Sequence, residues 1–481
     1  MKNHSLQAAL LFISIAAIGL ISCQAQERPN IVFIMADDLG YGDLSVYGSE
    51  LIQTPNLDKL AARGIQFTDF HTNGMVCTPT RAAVLTGNYQ QRTGLSEVVA
   101  CRWHTNVGLE PEETTFADVL KLGGYHTALF GKWHLGVEEK YNPIHNGFNE
   151  FAGFTSGNVD YHSHINLNRD LDWWQQDKIK DEPGYQTEII AQHAIRYIQN
   201  AKKDEPFCLY LPFGAPHTPN QRPYSKVERV PGHLSKKDQE AFRDSINQTI
   251  PKPPEGYKLA ESKQDRFLDI SIEMVTFLDD CVGKIVTELE RKGLIDNTLI
   301  IFTSDNGPRK MLSSGPFKGG KGSLNEGGHR VPMIMSWPSV IEAGRVSDQL
   351  LMTMDLFPTL AQATGSALPK GLKLDGTSFL TLLKKEQEMP HRYCYWGKSS
   401  GRAMRDGQWK YIENEGGTGE LYNLTQDLAE ANNLAAQESK RVKKYSALIN
   451  TWYEEVTKGV EQVINHKEIT KRAEEARKKS K

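Results

Sequence analysis

Four short apolar runs each end in a polar cluster, and that recurrence limits what this 481-residue chain can fold into. Asn30 to Met35 runs into Ala36-Asp37-Asp38-Leu39-Gly40, and Thr127 to Phe130 into Gly131-Lys132-Trp133-His134. Phe207 to Phe213 runs into Ala215-Pro216-His217, and Leu299 to Thr303 into Ser304-Asp305-Asn306-Gly307. Each run has a strand's length and its β-branched or aromatic content. Between them lie segments with helical spacing: Thr54 to Arg63 with Pro55 at its start, Thr115 to Lys121, Gln186 to Asn200, and Arg266 to Lys292. In the last, Phe267, Ile270, Met274, Leu278, Cys281, Ile285 and Leu289 form one continuous face. This alternation predicts an α/β fold, a large mixed and mostly parallel sheet with helices on both faces. In such a sheet the strand ends share one rim, so the four clusters converge although they are far apart in the chain.

The texture changes after about residue 375. Tyr393 to Trp396, Ala403 to Met404, Trp409 to Ile412 and Leu421 to Tyr422 read as short strands with tight turns, including Arg405-Asp406-Gly407. Lys440 to Val456 reads as a closing helix, and the tail from Lys467 is charged. The expected organisation is a leader over 1–23, a catalytic domain over 27–375, and a small α+β domain over 376–481 carrying a short antiparallel sheet. Residues 219–263 are polar and rich in Pro and Lys, which predicts a loop excursion near the site mouth.

A formal charge of −3 argues against a nucleic-acid-binding surface. The apolar stretch Leu6 to Ile21 follows Lys2 and His4 and reads as an export signal. It ends in Leu20-Ile21-Ser22-Cys23, which resembles a bacterial lipobox with Cys23 as the lipidated residue; cleavage after Ala25 is the alternative. Either way the expected location is outside the cytoplasm, in the periplasm or on the surface of a bacterium, with membrane attachment only through that N-terminus. Cys101, Cys208, Cys281 and Cys394 fit no zinc or redox spacing, and no essential disulfide is expected.

The most specific stretch is Cys77-Thr78-Pro79-Thr80-Arg81, continuing through Leu85-Thr86-Gly87. It sets a thiol at a helix N-terminus, where free N–H groups and the dipole favour an anion, and brings an arginine back one turn later. The stretch resembles the signature of the type I sulfatases of the alkaline-phosphatase-like superfamily, in which the cysteine becomes formylglycine. Asn88 stands where that signature usually has arginine. The resemblance implies a Ca²⁺ ion held by Asp37, Asp38, Asp305 and Asn306, with residue 77 completing the shell. All-oxygen ligands of this kind suit a hard dication. It further implies that Lys132, His134, His217 and Lys321 clamp sulfate and move protons, and that Arg81 steadies residue 77. The implied reaction is attack on sulfur by a hydroxyl of the hydrated aldehyde, with His217 protonating the leaving alcohol, Lys321 assisting, and His134 taking the proton of the second hydroxyl as sulfate is released. A formylglycine-generating enzyme is then a required partner.

The segment Asn158-Val159-Asp160-Tyr161-His162-Ser163-His164 mixes aromatic and polar residues. That suits sugar recognition and an ordinary surface loop equally, and nothing completes a zinc site around its histidines. With Gly147-Phe148-Asn149-Glu150-Phe151 it is similar to sulfatases of algal galactans such as carrageenan, which makes Asn158, Asp160, His162 and His164 candidate substrate contacts. Glycosaminoglycans are the other glycan reading. The competing functions are a phosphodiester or phosphonate monoester hydrolase of the same superfamily, and a non-catalytic surface glycan-binding lipoprotein.

Overall fold

The computed structural model describes residues 28–255, 262–417 and 419–463. The leader, the Cys23 lipobox and the tail from Lys467 lie outside them. Sixteen strands are formed among the described residues: β1 (Asn30–Ala36), β2 (Ile65–Phe67), β3 (Phe70–His71), β4 (His126–Lys132), β5 (Glu150–Phe154), β6 (Trp174–Gln175), β7 (Lys178–Ile179), β8 (Phe207–Pro212), β9 (Thr298–Ser304), β10 (Met333–Ser336), β11 (Arg345–Ser347), β12 (Leu351–Met352), β13 (Tyr393–Lys398), β14 (Gly401–Asp406), β15 (Trp409–Asn414) and β16 (Gly419–Asn423). The α-helices are α1 (Pro55–Ala62), α2 (Cys77–Thr86), α3 (Phe116–Leu122), α4 (Gln186–Asn200), α5 (Lys236–Asn247), α6 (Lys263–Arg291), α7 (Glu326–His329), α8 (Leu356–Thr364), α9 (Leu380–Leu383) and α10 (Ser439–Thr457).

Ten strands make one sheet in the order β11-β2-β10-β9-β1-β8-β4-β5-β6-β7. The central strands β9, β1, β8, β4 and β5 are parallel; β10, β6 and β7 run antiparallel to their neighbours. The period-2 pleat divides β1 between two cores. Ile31, Phe33 and Met35 face one layer with residues of α2, α3, α8 and α9. Val32, Ile34 and Ala36 face the other, with residues of α1, α4 and α6. Burial on both faces explains why these strands read as unbroken apolar runs.

Register then sets the site. Ala36 pairs with Ser304, so Asp37 and Asp305 leave the sheet side by side. Met35 pairs with Pro212, which brings the segment carrying His217 to the same rim.

Two expectations need correction. The buried face of α6 begins at Ser271, and Phe267 in its first turns is 39% exposed. Residues 219–263 are not wholly a loop, since they contain α5. Ser235 caps that helix by accepting the Asp238 N–H, and none of its residues is buried. Its half-buried side carries only Phe242 and Ile246 as apolar residues, so little apolar periodicity is there to detect.

Strands β13–β16 form a four-stranded antiparallel meander, and each expected short strand lies inside one of them. One face packs α10 through Tyr445 and Ile449 against Met404, Tyr411 and Leu421. The other brings Trp396, Ala403 and Ile412 against Met75, Leu324 and Met352. The small sheet therefore leans on the segment just before Cys77.

Candidate active site

The residues of the rim are delivered by strand ends and one helix start. Asp37 and Asp38 follow β1, Asp305 and Asn306 follow β9, His217 follows β8, and Lys132 closes β4. Asp38 and His134 both adopt positive φ (68° and 57°), so the chain turns sharply at each. Lys132 and His134 therefore do not share a straight extended segment. Cys77 is the first residue of α2, and Arg81 lies one turn on. The loop bearing Lys321 is tied down on both sides: its own N–H donates to Pro308 O at 2.8 Å, and Gly322 N–H donates to Met75 O at 2.8 Å.

All ten predicted catalytic and metal residues meet. Lys321 Nζ lies 2.5 Å from Asp38 Oδ1 and 3.3 Å from Cys77 Sγ. Sγ is 3.5 Å from Asp37 Oδ1, whose other oxygen accepts from Lys132 Nζ at 2.6 Å. Arg81 donates Nε and Nη2 to Asp305 Oδ2 at 3.1 and 2.8 Å, and Nη1 to Lys132 O at 3.1 Å. Asn306 Nδ2 donates to Asp38 Oδ1 at 2.8 Å. His217 Nε2 is 3.6 Å from Asp38 Oδ2.

Three buried carboxylates face three cations here, of which Arg81 and Lys132 are buried and Lys321 is half-buried. Burial, with Asp305 opposite, pushes the Asp37 carboxyl well above its ordinary range, although Lys132 pulls it down. Burial opposes the charge of Asp38 too, but Lys321 and His217 outweigh it and hold that carboxyl low. Asp37 thus remains costly as an anion until more positive charge arrives. Two buried oxygens, Asp38 Oδ2 and Asn306 Oδ1, have no hydrogen-bond partner among the described residues. Donor atoms of Asp37, Asp38, Cys77 and His217 lie within 4.8 Å of one another. Two orphaned oxygens, an Asp37 carboxylate whose charge burial disfavours, and a mostly hard donor set fit a dication such as Ca²⁺.

The histidines are orientated by carbonyls. His134 Nε2 is 3.0 Å from Val99 O, which places the proton on Nε2 and leaves Nδ1, buried and unpartnered among the described residues, as an acceptor. His217 Nδ1 is 2.7 Å from Thr218 O, which places its proton there and turns Nε2 toward Asp38. Burial lowers both imidazole pKa values, with Lys132 and Arg81 adding to the effect at His134.

A family model described as Sulfatase matches residues 29–366. The chain is 32% identical over 427 residues to N-acetylgalactosamine-6-sulfatase of Mus musculus, across 84% of this chain and 75% of the relative. It belongs to the sulfatase family. Arylsulfatase A of Homo sapiens is 33% identical over 402 residues, covering 76% of this chain and 70% of that one. A second family model, N-sulphoglucosamine sulphohydrolase, C-terminal, matches residues 320–458. Among solved structures, Ps i-CgsB in complex with k-i-k-neocarrahexaose superposes with a TM-score of 0.78 at 29% identity, over 92% of this chain and 96% of the other. The reaction class is sulfuric ester hydrolysis.

In the sulfatase's 158–164 segment, read equally as a sugar contact or an ordinary surface loop, three of the four candidate substrate contacts are turned inward. Asp160, His162 and His164 are buried. Asp160 accepts backbone N–H groups from His162, Ser163, Glu228 and Arg229, and the Gln221 amide. His164 stacks on Trp173 at 4.4 Å between ring centroids, and burial pushes it down to about 4. His162 Nε2 meets Arg222 O at 3.2 Å. These side chains brace the segment from inside. Asn158 is half-buried, and its neighbour Gly157 lies against His134, where an added Cβ would sit 2.8 Å from Nε2.

Three contributors were not anticipated. Val99 supplies the carbonyl behind His134, and Thr78 ties the two together by donating to His134 O and accepting the Val99 N–H. Arg309 reaches over the rim, donating Nη1 to Thr218 Oγ1 at 2.7 Å, with Nε 4.0 Å from Asp38 Oδ2. A carbonyl's role leaves no trace in residue identity, and a lone loop arginine is usually solvated.

Proposed function

We propose that this sulfatase removes sulfate from sulfated glycans with formylglycine made from Cys77 and a Ca²⁺ ion held by Asp37, Asp38, Asp305 and Asn306. The observation that carries the reading is the meeting of Cys77 Sγ, Lys321 Nζ and Asp38 Oδ1 at one buried point. Formylglycine, once hydrated, supplies a hydroxyl nucleophile and a second hydroxyl by which the enzyme frees itself. Bound Ca²⁺ supplies positive charge for the sulfate oxygens and for the nucleophile.

The chain's own side chains do the rest. Lys132 reaches residue 77 through Asp37, Lys321 touches it directly while paired with Asp38, and the two hold the sulfate oxygens in place. Arg81 stays charged, because Asp305 overrides its burial, and fixes both Asp305 and the end of β4. His134 accepts a proton at Nδ1, the nitrogen its Val99 contact leaves bare. His217 turns Nε2 into the site; in its doubly protonated form, which the charges of Asp37 and Asp38 favour against burial, it donates that Nε2 proton to the departing alcohol, and Lys321 assists.

Carbohydrate is favoured as substrate because Ps i-CgsB was solved with a neocarrahexaose, and the mouse relative is named for N-acetylgalactosamine. We further propose export, with Cys23 as the lipidated residue, and maturation by a formylglycine-generating enzyme. The test is sulfate release from a panel of carrageenans, glycosaminoglycans and their oligosaccharides by protein co-expressed with such an enzyme, against Cys77→Ala. Release lost in the variant supports the reading. No release from protein whose peptide mass shows residue 77 converted refutes it for these glycans.

A further inference from the structure

Beyond Lys321 the rim opens into a cavity of about 430 Å³ between two loops, one carrying Arg309 and Lys310 and the other Gly320, Lys321 and Ser323. Every charged residue in its wall is a cation. Lys321 is shared with the reaction centre. Arg309 is half-exposed and anchored through Thr218, the residue after His217. Lys310 is exposed and, among the described residues, has no carboxylate within ion-pair distance. Lys321 and Arg309 both lean on the one carboxylate of Asp38 and Lys310 on none, which leaves an excess of positive charge that a bound anion relieves.

The position of the cavity says which part of a substrate reaches it. His217 is the proton donor to the departing alcohol, so the sugar left behind lies on the His217 side of the scissile bond. Arg309 is bonded to the residue next to His217 and lines this cavity. We propose that this cavity is an anion subsite for a second charged group on the same glycan, so that the enzyme selects multiply anionic sugar chains over singly sulfated ones. The inference rests on the glycan sulfatase reading and sharpens it. Arg309 and Lys310 are its specificity-determining residues; Lys321 belongs to both places.

The test compares three oligosaccharides that share one cleavable sulfate: one with no other charge, one with a second sulfate, and one with a carboxylate. For wild type and for the R309Q/K310Q variant, kcat/KM is measured with each, and binding to the Cys77→Ser form of each protein is followed by calorimetry. The expected result is at least a tenfold preference of wild type for one dianionic chain, falling to threefold or less in R309Q/K310Q, with added salt eroding the wild-type preference only. Whichever of the two dianions wins identifies the second group. An unchanged preference in the variant overturns the proposal, as does an equal loss on all three chains. The binding ratios decide the subsite even if no sulfate is released; in that case it is the reaction assignment that falls.

Discussion

Arg81 is the side chain whose loss is felt in the most places. It is buried, forks onto Asp305 and holds the carbonyl of Lys132. Arg81→Lys keeps a charge but not the fork, and kcat is expected to fall on the order of 10–100-fold with substrate binding less affected. Arg81→Ala leaves Asp305 buried beside Asp37 without its main partner, so urea unfolding should show a loss of roughly 3–5 kcal/mol. The orphaned oxygens of Asp38 and Asn306 give a second expectation at this scale. Chelation should abolish activity and lower Tm, and Ca²⁺ should restore both. At a hundredfold excess over Kd the ion adds about 2.7 kcal/mol. Asn306→Ala should need more Ca²⁺ for the same Tm. The acids, lysines and His217 were legible because each follows an apolar run or stands in a recognisable motif. The bare Nδ1 of His134 and the reach of Arg309 were not, since both depend on which backbone atom or hydroxyl lies opposite.

At the scale of elements, two contacts carry tests. Gly307 follows the Asp305-Asn306 pair and passes so close to α7 that an added Cβ would sit 1.8 Å from Gly327 O. Gly307→Ala must push the Asp305-Asn306 turn away from α7, and is expected to lower Tm and kcat together, where an ordinary surface Gly→Ala change would not. Glu182, just before α4, collects Trp173 Nε1, Gln175 Nε2 and His193 Nε2. Burial opposes its charge, but the His193 contact and the two donors win and hold it at about 2, against an ordinary 4.5. The stabilisation is therefore present above pH 4.5 and is lost as pH falls from 4.5 toward 2. After discounting for solvent screening it is worth about 1–2 kcal/mol. Glu182→Gln should lower the urea midpoint at pH 6, with the gap to wild type closing as pH is lowered through 4 to 3; a gap constant with pH would refute it. The strands were legible because burial on both faces makes them continuously apolar. Helix α5 was not, because Phe242 and Ile246 are the only apolar residues on its half-buried side, and the inward turn of Asp160 was hidden because three of its five donors come from residues 221–229.

Across the whole molecule, the two sheets are joined by a buried network of charges. Glu326 of α7 accepts from Lys410 Nζ at 2.8 Å and Arg405 Nη1 at 2.7 Å, both from the small sheet. Lys410 also meets His329 Nε2 at 2.7 Å, and Arg405 reaches Asp69 at 3.1 Å. Burial disfavours the charge of Glu326, yet Lys410 and Arg405 hold its carboxyl far below the ordinary range. The small sheet also grips the catalytic loop: Lys398 Nζ donates to Gly322 O, the residue after Lys321. Lys410→Met should cost on the order of 3–5 kcal/mol in urea unfolding by leaving Glu326 short of a partner. Its residual activity should fall in kcat, because α7 and the Lys321 segment are continuous. Paired mutation of Glu326 and Lys410 to apolar residues should recover part of the stability and not the rate. The general architecture was legible from strand–helix alternation and from the change of texture near residue 375. This junction was not, since its members come from five separated segments.

The side chain of Cys77 is 2% exposed, and all ten residues of α2 are buried. A macromolecular oxidant has no route to that thiol once the helix has docked. The conversion proposed for it therefore belongs to the youth of each molecule, when the chain is still unfolded. Under that proposal, folding and oxidation run as a race, and a copy that folds first would keep its thiol, native in shape and silent, for the rest of its life.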